Sequence, residues 1–266
     1  MLWLSLQNSE LTLNFLYDIS DSEVEAWVVD TNHKLRSTFG LDKAPVFKVL
    51  TRMHGEFYTE DVNTNGFLCD VSKTYNDDFT EVSNLIEASL LSDKAGLILL
   101  HGAPGTGKTS YIKNLITKYR DLSFIFVQNE FVSELLNPDF VSFLLKNRNA
   151  VLLIEDAEKV ITTREHANEN SVVSTILQLT DGLFSDYLNI KIICTFNTSM
   201  EKIDKALLRK GRMIAYYEFK PLEAERASEL LKSMELAPTE EELTLAEIFN
   251  YRSRAFQTND AKKIGF

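Results

Sequence analysis

The chain has 266 residues, 44% of them hydrophobic and 25% charged, with 10 glycines and 5 prolines. That balance excludes an intrinsically disordered, fibrous or low-complexity chain, and the length is that of roughly two domains. A net charge of −11, from 28 basic against 39 acidic residues, argues against a broad nucleic-acid-binding face, which needs clustered cations to release counterions.

Cys69 and Cys194 lie far apart with no CxxC or His-rich company, so neither a zinc ribbon nor a secreted disulfide framework is expected. The amino terminus, MLWLSLQNSE, has no Lys or Arg before Lys34, and no apolar run of about 18 residues occurs. The expectation is a soluble protein in a reducing, cytoplasmic setting, with no membrane partner.

Residues 1–72 read as a small, β-rich N-terminal domain without a recognisable motif. Its strand candidates are 27–30, 46–53 and 56–62, with turns at His54-Gly55 and at 63–66. From residue 75 the texture changes. Phe79, Val82, Leu85, Ile86, Ser89 and Leu90 follow helical spacing, and Gly96-Leu97-Ile98-Leu99-Leu100 is a short apolar strand ending in a Gly-rich turn. Tyr111, Ile112, Leu115, Ile116 and Tyr119 stripe the next helix. Further strands are predicted at 123–127, 150–154, 190–196 and 214–219, and helices at 131–146, 171–180 and 202–208. Non-alternating strands separated by helices mark a parallel sheet covered on both faces. Pro221 closes the last strand, and a helix at 223–234 opens a small helical tail. The fold class is therefore α/β, with a sheet core over 73–220 and a helical segment over 221–266.

Gly102-Ala103-Pro104-Gly105-Thr106-Gly107-Lys108-Thr109 is a full GxxxxGK[ST] between an apolar strand and a helix. Glycines let the backbone wrap so that successive N–H groups point at a phosphate, and the helix N-terminus adds its positive end. Lys108 supplies a point charge for the β/γ oxygens, and the Thr109 hydroxyl can ligate Mg²⁺. The pattern predicts binding of a nucleoside triphosphate.

Downstream, Val151-Leu152-Leu153-Ile154-Glu155-Asp156 is an apolar strand ending in two carboxylates, where a phosphate-loop protein keeps a Mg²⁺-anchoring and a water-polarising acid. The usual order is Asp then Glu; here it is Glu155 then Asp156. On its own the pair also fits a solvated acidic turn continuing into Glu158 and Lys159.

The phosphate loop, this strand end, Asp181-Gly182-Leu183, Asn197 after an apolar strand, and Ala206-Leu207-Leu208-Arg209-Lys210-Gly211-Arg212-Met213 together resemble the AAA (AAA+) ATPases. Within that family the Glu-Asp order and the Leu-Leu-Arg-x-Gly-Arg stretch resemble the subgroup of the mitochondrial Rieske-protein translocase and its relatives. The resemblance covers residues 75–266. It implies a P-loop NTPase three-layer core with a C-terminal helical lid, ATP as nucleotide and Mg²⁺ held by Thr109, Glu155 and Asp156. It makes Glu155, Asp156 and Asn197 catalytic, and casts Arg212, with Arg209, as the arginine finger completing a neighbour's site. Asn197 also fits a helix cap, and the arginines a solvated basic turn.

The same resemblance implies a homo-oligomeric ring acting on a protein client, with residues 1–72 as a partner-recognition or assembly module and 75–79 as the adenine-side linker. Adenine over guanine rests on it too, since no Asn-Lys-x-Asp motif occurs. Three departures stand out. Ala215 occupies the position of a second arginine. The loop after the second core strand has Phe131 without the glycine of threading ATPases, so Phe131 is expected in the core. The tail is short for a full lid. Residues 164–170 form a polar loop, and His101 and His166 have no partners at ligand spacing. A nucleotide-gated assembly scaffold with slow or no hydrolysis stays open as an alternative, and a small-molecule kinase fits less well.

Overall fold

The computed structural model describes residues 2–7, 10–18, 20–39, 44–132, 134–135, 137–158, 172–180, 183–198, 203, 207 and 212–251. The chain divides into two compact units, Met1–Lys43 and Ala44–Phe266.

In the first unit, strands β1 (Leu2–Gln7) and β2 (Glu10–Phe15) form an antiparallel hairpin, and helix α1 spans Ser22–Phe39. Residues 27–30, expected as a strand, lie inside α1. Their Trp-Val-Val run carries β propensity, but Asp21 caps the segment by accepting from the backbone N–H groups of Glu23 and Val24 at 3.2 Å. Glu23 and Glu25 then sit in the first turn, where the helix dipole favours acids. Local capping wins over strand propensity here.

In the second unit, strands β3 (Val46–Met53) and β4 (Glu56–Asn63) form the hairpin expected around His54-Gly55, both of which have positive φ. The next elements are helices α2 (Val71–Thr74) and α3 (Asp78–Leu90), strand β5 (Gly96–Gly102), helix α4 (Lys108–Lys118) and strand β6 (Phe124–Phe126). Helices α5 (Asn129–Val132) and α6 (Pro138–Lys146), strand β7 (Val151–Ile154) and helices α7 (Val172–Thr180) and α8 (Leu183–Leu188) come next. Strands β8 (Lys191–Phe196) and β9 (Met213–Phe219) and helices α9 (Ala224–Ser233) and α10 (Leu245–Phe249) complete the described elements. The single helix expected over 131–146 is two, because Asn137 precedes Pro138 and is held extended at φ −64°, ψ 145°.

Seven described strands form one sheet in the order β4-β3-β6-β7-β8-β5-β9, parallel except for the β3–β4 pair. The hairpin expected in a separate domain ending at 72 is thus stitched onto the sheet, Lys48 opposite Ile125 and Val49 opposite Phe126. All residues of β5, β7 and β8 are buried, as the absence of alternation predicted. Leu97 and Leu99, with Leu152, Ile154, Ile192 and Cys194, pack on the α6–α7 side. Ile98 and Leu100, with Val151, Leu153 and Ile193, pack on the side of α3, α4, α9 and α10. Helices on both faces make the three-layer α/β sandwich of a P-loop NTPase.

The helical end packs on this core. Leu222 and Leu243 exchange backbone hydrogen bonds of 2.8 and 3.2 Å, and Leu245 and Ile248 of α10 join the core cluster containing Phe79 and Tyr111. A capping box starts α10: Thr244 accepts from the Glu247 N–H, and the Glu247 carboxylate accepts from the Thr244 N–H. The helix predicted over 202–208 lies outside the described residues except for Ile203 and Leu207, both buried in the core.

Candidate functional site

At the C-terminal end of β5 the chain turns through Gly102, Gly105 and Gly107, with φ of +139°, +83° and +105°. At Gly102 only glycine fits, because a Cβ would stand 2.1 Å from the Phe219 carbonyl oxygen of the adjacent strand. At Gly107 a Cβ would meet Leu245 of α10 at 2.5 Å and the Tyr75 ring at 2.9 Å. The Tyr75 hydroxyl donates to the Gly107 carbonyl at 3.1 Å, and the Ala246 N–H donates to the Gly105 carbonyl at 3.0 Å. Tyr75 and α10 thus brace the loop from outside. Within it, the Thr106 hydroxyl donates to the Ala103 carbonyl at 2.8 Å.

Lys108 opens α4 and is only 8% exposed. Its ammonium donates to the carbonyls of Gly102 and Ala103 at 2.7 and 3.0 Å, so the loop folds around its own cation. Burial pulls the Lys108 pKa below its ordinary value, while the carboxylates of Asp156, Glu158 and Glu155 pull it back up. An ammonium held on weak neutral acceptors among acids is poised to transfer to an anion.

Glu155 and Asp156 follow β7 directly and diverge. The Thr109 hydroxyl donates to Glu155 Oε1 at 2.8 Å, whereas Asp156 Oδ1 accepts from Asn197 Nδ2 at 3.1 Å. Asp156 adopts a left-handed φ of +50°, which turns the chain sharply between the two acids. Glu158 accepts from the Asn197 backbone N–H, and the Ala157 N–H donates to the Thr195 carbonyl at 2.9 Å, tying this turn to β8. Asn197 therefore stands between Asp156 and Glu158.

Two further residues belong to the same place. Asn129, at the start of α5, donates its Nδ2 to the carbonyls of both Glu155 and Asp156 at 3.3 Å. Tyr75, read as adenine-side linker, braces the phosphate loop. A signal for Asn129 was present: it follows the C-terminal end of a parallel strand, where α/β sheets bind ligands.

Arg212 precedes β9, and its carbonyl accepts from the Leu97 N–H at 2.9 Å. Leu97 pairs with Met213 and Gly102 with Phe219, so Arg212 lies at the opposite end of the sheet from its own loop. Five residues of strand separate those levels, roughly 17 Å, beyond the reach of a guanidinium. Ala215 is buried in β9. Arg209, Asp181, Gly182, residues 164–170 and His166 lie outside the described residues. His101 stacks on Phe196 at 5.3 Å, and burial lowers its pKa, so it stays neutral packing. Phe131 packs edge-on against Phe57 at 5.6 Å, as expected of a core residue.

The residues fit a magnesium ion. Thr109 and Glu155 offer two hard oxygens side by side, the protein share that Mg²⁺ takes while its other ligands are phosphate and water oxygens.

A parallel sheet, a glycine loop opening a helix and an acidic neighbouring strand end give the fold class of a P-loop NTPase core. Residues 98–221 match the family described as "ATPase family associated with various cellular activities (AAA)". Over those residues, less than half of its length, the chain is similar to this ATPase family. It is 31% identical over 149 residues to a 26S proteasome regulatory subunit 6B homolog of Aspergillus niger, covering 51% of this chain and 34% of that protein. The corresponding Saccharomyces cerevisiae protein is 30% identical over 159 residues, 53% of this chain and 36% of that one. An Arabidopsis thaliana AAA-ATPase is 34% identical over 125 residues, 43% and 25% respectively. The chain spans about a third of the length of the first of these relatives. Among the described residues no helix is long and apolar enough to cross a membrane.

Proposed function

We propose that the chain is a Mg²⁺-dependent ATP hydrolase that works as a ring of identical subunits on a protein partner in the cytoplasm. The single observation carrying this reading is the division of labour at the end of β7: Glu155 meets Thr109, and Asp156 meets Asn197. Loop amides and Lys108 bind the triphosphate, and the α10 N-terminus and Tyr75 keep the loop wrapped. Thr109 and Glu155 would hold a magnesium ion, which would supply positive charge against the triphosphate. Asn197 orients a water and Asp156 takes its proton as the oxygen attacks the γ-phosphorus. The bond to the β-phosphate oxygen breaks, leaving ADP and phosphate. The inverted acid order then has a simple meaning, with the longer Glu155 reaching the metal and the shorter Asp156 serving the water.

In this reading Arg212, with Arg209, completes a neighbour's site, and the placing of Arg212 a strand's length from its own loop supports a ring. The names of the proteasome regulatory relatives support work on proteins. The Glu-Asp order and the Leu-Leu-Arg-x-Gly-Arg stretch support the Rieske-translocase subgroup within the family. The scaffold alternative draws on Ala215, which leaves fewer charges at the interface. Steady-state phosphate release against protein concentration separates the two. Specific activity is expected to rise with concentration and to vanish when EDTA removes magnesium. Nucleotide-dependent assembly without any phosphate release would favour the scaffold instead.

A further inference from the structure

Strand β4 ends one side of the seven-stranded sheet, and among the described residues no strand pairs with its outer edge. The Thr64 N–H donates to the Pro45 carbonyl at 2.8 Å, in register with Val46 opposite Asn63. An antiparallel ladder alternates bonded and non-bonded pairs, so Phe47–Val62, Val49–Glu60, Thr51–Tyr58 and Met53–Glu56 exchange the hydrogen bonds. The last of these closes the two-residue His54-Gly55 turn, where a bonded pair belongs. The backbone groups of Phe57, Thr59, Asp61 and Asn63 therefore aim away from β3. A row of such groups is a template for another strand.

Sheet edges are commonly blunted by short length, proline, a bulge or lysine. β4 has eight residues, contains neither proline nor lysine, and keeps an unbroken register with β3. Its charges are Glu56, Glu60 and Asp61, all acidic. Its two faces differ. Phe57 joins the core cluster with Leu50, and Asp61 stands opposite Lys48. On the other face the side chains run Glu56, Tyr58, Glu60, Val62, and Met53, Tyr58 and Val62 are exposed. The Tyr58 hydroxyl donates to Glu56 at 2.8 Å, which leaves the carboxylate charge in place.

A strand laid on this edge brings its side chains to about 4.5–5.5 Å from those of β4. A second copy is a poor occupant. It would set three carboxylates against three, and like charges across a strand pair destabilise it. A strand with cations facing Glu56 and Glu60 and apolar side chains facing Tyr58 and Val62 satisfies charge, apolar area and backbone together.

We propose that β4 is a strand-addition site for an extended segment of a protein partner in which basic and apolar side chains alternate at every second residue. The proposal goes beyond the hydrolase reading and does not rest on it, because the nucleotide-free chain already presents the edge.

The probe is a seven-residue peptide with lysine and valine alternating at its odd positions and threonine between them. It is capped, labelled and titrated into the full chain by fluorescence anisotropy without nucleotide. The lysine peptide is expected to bind at least about tenfold tighter than one with glutamate in place of lysine. Glu56→Lys/Glu60→Lys should reverse that order. Thr59→Pro removes one outward N–H, leaves the ladder to β3 its bonds, and should weaken the lysine peptide about tenfold. Amide hydrogen exchange gives the signature: bound peptide should slow Phe57, Thr59, Asp61 and Asn63 and leave Tyr58, Glu60 and Val62 unchanged. This pattern and the lysine pair decide the matter even where proline disturbs the hairpin. Equal binding of the two peptides would overturn the proposal. So would binding that leaves the four outward amides unprotected, which is charge attraction alone. Self-association of the chain that Thr59→Pro abolishes in sedimentation would make a second copy the occupant and overturn the choice of partner.

Discussion

Replacing Lys108 with alanine is expected to abolish measurable turnover and to weaken ATP binding by roughly 10²–10⁴-fold. The ammonium already makes two hydrogen bonds to loop carbonyls, and in the nucleotide complex it exchanges them for phosphate oxygens. Charge-assisted bonds contribute about 1.5–3 kcal/mol each, so two amount to about 3–6 kcal/mol, and each 1.4 kcal/mol is about tenfold. The nucleotide-free protein should lose little stability, because burial opposes the charge that the neighbouring carboxylates favour. Isothermal titration with ATP and a thermal melt of the same sample check both halves.

Asp156→Asn and Arg212→Ala are expected to fail for different reasons, and each should rescue the other. The asparagine cannot accept the water's proton, a loss of about 10²–10⁴-fold, and ATP binding survives because the loop is untouched. The missing guanidinium costs about 10³–10⁵-fold in a neighbour's site. In an equimolar mixture an interface works when the site owner keeps Asp156 and the adjoining copy keeps Arg212. Random mixing makes about a quarter of the interfaces competent in a closed ring of head-to-tail contacts. Phosphate release from the mixture should therefore approach that fraction of the unmodified rate. Release no greater than from either variant alone would show that Arg212 does not act across subunits.

What could be read before the structure was set by how local its causes are. The β5–loop–α4 unit was legible because the glycine spacing, the apolar run and the helical stripe are adjacent in sequence and specify one geometry. The covered sheet was legible from strands that do not alternate. The partner of β3 was not: pairing Lys48 with Ile125 joins positions far apart in the chain, and nothing in either strand's pattern names the other. Residues 27–30 misled because two adjacent valines and a tryptophan outweighed Asp21, a cap that was there to be read. Pro138 likewise announced the break between α5 and α6. At the site, Glu155, Asp156 and Asn197 were visible as polar residues ending apolar strands. Asn129 follows a strand too, but what it touches is backbone carbonyls that no side-chain pattern displays. Which acid faces Thr109 depended on the left-handed turn at Asp156, a conformation that a non-glycine residue does not advertise.

The most direct test is a structure of the chain with magnesium and a non-hydrolysable ATP analogue. The account predicts the triphosphate wrapped by residues 102–109, Lys108 moved from the Gly102 and Ala103 carbonyls onto phosphate oxygens, and metal between Thr109 and Glu155. A loop left empty, with Lys108 still on its own carbonyls at saturating nucleotide, would contradict it.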